Sequence, residues 1–78
     1  MKVRGKASAV EDEALVERVL SVLDVARIPV SIDYVAHNAN LTWGTARAVL
    51  FHLALLGRIK GTKTTKSWIF QLPEAVRK

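Results

Sequence analysis

Apolar and polar positions alternate along this chain in three helical stretches followed by one extended stretch. From Ser8 to Ala26, Leu15, Val19, Val22 and Ala26 recur at helical spacing as a central stripe, which Val16, Leu20 and Leu23 widen on one side. Ser8 followed three residues later by Glu11 matches a capping box. Glu11, Asp12 and Glu13 suit the positive end of the helix dipole, and Glu13, Glu17 and Asp24 face away from the stripe. Pro29 holds Ile28 in an extended conformation and so breaks this helix, and Pro29-Val30-Ser31 offers a short strand. Ser31 then caps a second helix over 32–38, with Ile32, Val35 and Ala36 inward. Asn38-Ala39-Asn40 is its turn, since asparagine tolerates a left-handed backbone, and Leu41 plugs the angle that follows.

The third helix, over 42–56, has a start, a buried stripe and a stop. Thr42 is its N-cap, Ala46, Val49, Leu50 and Leu53 form its apolar face, and Gly57 sits where a left-handed residue ends a helix at little steric cost. Beyond it, residues 58–63 and 66–71 read as two strands joined near Thr64-Thr65. Trp68, Phe70 and Leu72 share one face and close the core, and Pro73 ends the sheet. The pattern predicts an α+β fold, mainly α: three helices followed by a two-stranded hairpin. It divides the chain into a basic arm (1–9), a folded domain (10–72) and a C-terminal tail (73–78).

Charge changes the picture more than composition does. The 78 residues carry a net charge of +5 and no cysteine, which excludes a disulfide framework and thiol chemistry. Lys2, Arg4 and Lys6 lie in the arm; Arg58, Lys60, Lys63 and Lys66 lie in or beside the hairpin, with Lys60, Lys63 and Lys66 expected toward its tip. The first helix is acidic. Positive ends around an acidic middle suit a polyanionic partner. Catalysis has little to work with. His37 and His52 stand on different helices without a ligand companion, Glu11, Asp12 and Glu13 cap a helix, and Gly57 and Gly61 serve turns. No enzyme activity, metal or cofactor is expected. With no apolar run of membrane-spanning length and no signal-type segment, the expected location is cytoplasmic, associated with the nucleoid.

The order of elements and the spacing of Ser31-Ile32-Asp33-Tyr34-Val35-Ala36, Leu41-Thr42, Ala46, Leu50, Leu53 and Gly57-Arg58-Ile59-Lys60 resemble the winged helix-turn-helix superfamily over residues 11–72. The compact shape is similar to small archaeal and archaeal-virus DNA-binding regulators. The resemblance implies that the third helix enters the major groove of double-stranded DNA, with Thr42, Trp43, Gly44, Thr45, Arg47 and Ala48 facing it. Arg47 is the candidate for a bidentate contact to guanine or a phosphate, Thr42 and Thr45 donate to phosphates, and Gly44 and Ala48 allow close approach. Trp43 either contacts a thymine methyl or sugar or lids the helix junction. Arg58, Lys60, Lys63, Thr64, Thr65 and Lys66 would meet backbone or minor groove, and Lys2, Arg4 and Lys6 would extend the footprint. The implied role is a transcriptional regulator or an architectural factor.

This helix has one arginine and no lysine, and its outward face continues into Phe51 and Leu55. Large apolar groups on both sides of a helix need burial on both sides. A homodimer burying Val16, Leu20, Phe51 and Leu55 is one answer; cover from the first helix or the tail is another. Two alternatives to DNA stay open. Winged helices also serve as protein–protein interaction modules. The run from Ala46 to Lys60 is similar to a winged-helix protein of the archaeal and eukaryotic small ribosomal subunit, which points to RNA.

Overall fold

A computed structural model describes residues 12–73. The elements run α1 (Glu13–Ala26), β1 (Val30–Ser31), α2 (Ile32–Ala39), α3 (Trp43–Leu55), β2 (Lys60–Lys63) and β3 (Trp68–Gln71). Three helices with a small antiparallel sheet make this an α+β arrangement compatible with a winged-helix layout. The sheet has three strands, the expected short strand at Val30–Ser31 joining the hairpin. Its order is β1-β3-β2, with Val30 opposite Phe70 on one side of β3 and Gly61 opposite Phe70 on the other.

Each helix begins on a side-chain cap. Ser31 accepts from the Tyr34 N–H and Thr42 from the Thr45 N–H, as their positions predict. On α1 the cap is Asp12, whose carboxylate accepts from the Ala14 and Leu15 N–H groups at 2.9 and 3.4 Å. The expected Ser8–Glu11 box lies outside the described residues, so the first described cap comes four residues later than the pattern suggested.

Each helix also ends on a left-handed residue: Arg27 (φ 64°), Asn40 (φ 59°) and Gly57 (φ 79°). After α2, the Asn40 N–H donates to His37 O and the Leu41 N–H to Ala36 O. After α3, the Gly57 N–H donates to Ala54 O and the Arg58 N–H to Leu53 O. Both are the paired closure of a Schellman turn, which satisfies carbonyls that a helix end otherwise leaves free. Arg27 closes α1 more simply, with one bond to Leu23 O.

The core gathers Val16, Val19 and Leu23 from α1, Ile32, Val35 and Ala36 from α2, Ala46, Val49, Leu50 and Leu53 from α3, and Val30, Ile59, Phe70 and Leu72 from the sheet and its flanks. Fully burying one such Val, Leu or Phe contributes about 1.5–3 kcal/mol. The buried line of α1 is rotated from the expected one: Val16, Val19 and Leu23 are its centre, while Leu15, Leu20, Val22 and Ala26 are partly covered flanks. Nine apolar positions on fourteen residues admit several stripes, and contact with α2 and α3 selects one of them.

Candidate nucleic-acid interface

The α3 helix is the structural centre of the candidate surface. Its buried side fixes its roll in the core, so the opposite side, from Trp43 through Gly44, Arg47 and Ala48, is left exposed. At Gly44 a side chain would meet open space, with no atom within 4 Å of an added Cβ. Ala48 is one helical turn on, so this part of the helix is thin as well as exposed. Trp43 is 50% exposed and enters none of the ring contacts described below, which does not make it a closed lid on the helix junction.

The two threonines at the start of α3 differ in what they have left to give. The Thr42 hydroxyl accepts from the Thr45 N–H at 3.2 Å and donates to Thr45 Oγ1 at 3.0 Å, so it is occupied within the cap. Only the Thr45 hydroxyl keeps a proton for an outside acceptor. The turn that leads into α3 is also held from outside: Arg18 on α1 donates through Nη2 to the carbonyl of Ala39, the last residue of α2, and, at 3.3 Å, to that of Asn40. Sequence reasoning missed this tie. Arg18 stands among acids on the polar side of α1, and nothing local points to a carbonyl twenty-one residues away.

Phe51 is partly buried against the core. Trp68 and Phe70 meet its ring nearly at right angles, with centroids 5.1 and 5.3 Å away, and the Arg47 guanidinium lies over it at 4.9 Å. The expected cover for Phe51 is a second subunit, the first helix or the tail; within the monomer the hairpin supplies part of it. Val16 is likewise core, 8% exposed, and Leu20 is packed partly against that core. Leu55 alone of the proposed dimer set stands out at 84% exposed, and Leu56 beside it is 57% exposed.

The hairpin distributes its charges unevenly. The joining loop is four residues, 64–67, with Lys66 in the loop rather than in a strand. The Thr64 hydroxyl donates to Ser67 O at 2.8 Å and accepts from the Ser67 N–H at 3.0 Å, so Thr64 builds the loop, while Thr65 and Lys66 are exposed on it. Lys63 pairs with Trp68 next to the loop, but Lys60 pairs with Gln71 at the opposite end. Three residues of extended chain separate them by about 10 Å. Alternation also sends them to opposite faces. Gly61, whose added Cβ would lie 2.9 Å from Phe70, faces the core, and Lys63 shares that face. The three lysines therefore do not form one cluster at the tip. Arg58 is exposed after the Gly57 turn.

Lys2, Arg4 and Lys6 lie outside the described residues. Two grooves run along α1, one lined by Leu20, Asp24, Arg58 and Leu72 among others, the other by Val22, Val25 and Tyr34. Neither contains a residue of 42–48. Among the described residues no group of three or more His, Cys, Asp or Glu could hold a metal ion, and no helix is long and apolar enough to cross a membrane. Compared with known proteins, the chain matches no family model and no curated protein.

Proposed function

We propose that this chain is a winged helix-turn-helix protein that binds double-stranded DNA, with α3 in the major groove and the β2–β3 hairpin against the backbone. The observation that carries the reading is the exposed face of α3, where Arg47 stands between Gly44 and Ala48 on a helix whose other side is locked in the core. A planar, five-donor guanidinium on a thin helix face fits the edge of a base pair. Lys63 beside the loop and Lys66 within it supply charge for phosphates, to which Lys2, Arg4 and Lys6 would add. As a regulator or architectural factor the protein would work in the cytoplasm, on the nucleoid.

Lys63→Ala should weaken binding to all duplexes alike and flatten the slope of log affinity against log salt by about 0.9. Arg47→Ala should relax preference at one base pair. Anisotropy titrations of duplex DNA, structured RNA and buffer alone, at two salt concentrations, test the reading. Unchanged duplex affinity in both variants removes it, and tighter binding to RNA favours the ribonucleoprotein alternative.

Leu55 and Leu56 favour a second reading, a protein–protein surface at the far end of α3, because adjacent exposed leucines are what an apolar contact uses. A homodimer joined there would present two copies of α3 to successive half-sites. Sedimentation of the wild type against Leu55→Asp checks it: a monomeric wild type ends the dimer proposal.

A further inference from the structure

Arg47 is the one arginine or lysine on α3, and its guanidinium does not stand free: its central carbon lies 4.9 Å from the centroid of the Phe51 ring, one helical turn further on. Phe51 is itself held. Trp68 and Phe70 meet it at 80° and 89°, and these two rings stack on each other at 6.3 Å and 22°. Phe70 is fully buried, so the cluster is rooted in the core. A surface arginine ordinarily spreads over many rotamers, whereas a guanidinium laid on an aromatic ring has its plane restricted.

Resting on the duplex-reading role of α3 proposed above, we infer that Arg47 reads a guanine and that Phe51 and Trp68 are its positioning residues. Guanine presents two acceptors, N7 and O6, on its major-groove edge, and the fork of an arginine meets them only when its plane is aligned with the base. The aromatic platform sets that plane without touching the DNA. Because Trp68 belongs to β3, the hairpin takes part in base recognition through the protein interior as well as through phosphate contacts. Lys63, opposite Trp68 and on the same face, ends the strip that begins at Arg47.

The test has a DNA-free arm and a DNA arm. In nitrogen-15 spectra of the free protein, the Arg47 side-chain N–H should show an upfield ring-current shift that disappears in Phe51→Leu and persists in Phe51→Tyr. An unshifted resonance in the wild type overturns the inference. Duplexes selected from a randomised pool should show a G·C pair whose replacement by A·T costs the wild type about tenfold or more in affinity. That preference should fall below about threefold in Phe51→Leu and Trp68→Leu, return in Phe51→Tyr, and leave the salt slope unchanged. Should either leucine variant unfold, Arg47→Lys keeps the charge but loses the planar fork, and it should lose the preference at constant salt slope. Full preference in folded Phe51→Leu, or in Arg47→Lys, overturns the inference. A wild type that binds duplexes without favouring any G·C pair overturns it while leaving duplex binding in place, and a wild type that binds no duplex overturns the reading beneath it.

Discussion

The turns at the two ends of α3 share one hydrogen-bond pattern and differ in almost everything else. The turn before it uses Asn40, leads through Leu41 into the Thr42 cap, and is held from α1 by Arg18. The turn after it uses Gly57, is closed by backbone bonds from Gly57 and Arg58, and is flanked by the exposed Leu55 and Leu56. The turn that leads into the Arg47 end of the helix is thus tied to α1, while the other end presents apolar surface. Orientation is concentrated where the proposed contact with a base is made.

Breaking the anchor should have the largest effect on this contrast. Arg18→Met keeps an apolar stem but leaves the Ala39 and Asn40 carbonyls without their charged donor, and urea unfolding should show a loss of about 1.5–3 kcal/mol. Asn40→Val forces a β-branched residue into the left-handed region, with an expected cost of about 1–2 kcal/mol in the same measurement. At the other end, Gly57→Ala should cost about 1 kcal/mol, since open space around the glycine leaves backbone conformation as the sole penalty. Leu55→Ser should change stability by less than about 0.5 kcal/mol in dilute protein. A loss as large as that of Arg18→Met would mean that Leu55 is buried against something in solution. Equal losses for Arg18→Met and Gly57→Ala would erase the distinction between the two ends.

Much of the α3 region is legible in the sequence because its signals are local. Thr42, Gly57 and the Ala46–Leu53 stripe each act within a turn or two of their own position, as does Ser31 on α2. What local pattern missed is contact between distant segments. Phe51 and Leu55 look alike on a helical wheel, yet Trp68 and Phe70 cover the first and not the second. Arg18 reads as one more surface charge until α2 is folded beside it. The α1 stripe was misplaced because so many of its positions are apolar that the choice among them belongs to its neighbours. Arg27 gave no warning of a left-handed backbone, since arginine lacks the preference that marks glycine and asparagine. On the candidate surface, the residue types were readable, but the division between occupied hydroxyls (Thr42, Thr64) and available ones (Thr45, Thr65) required coordinates. The lysines on β2 also have a second use. It is an edge strand, and charged side chains there discourage pairing with another chain's sheet.

The strand order has a consequence for how the chain assembles in time. The middle strand of the sheet, β3, is the last to be synthesised, so β1 and β2 wait without a mate until residues 68–71 emerge. Lys63 and Trp68 are five residues apart in sequence, whereas Val30 and Phe70 are forty apart. That eightfold difference in loop length costs the longer closure about 2 kcal/mol more in chain entropy. The hairpin therefore has the cheaper closure, while pairing of β1 with β3 carries the larger entropic cost and is offset by the core that α1, α2 and α3 share with β3.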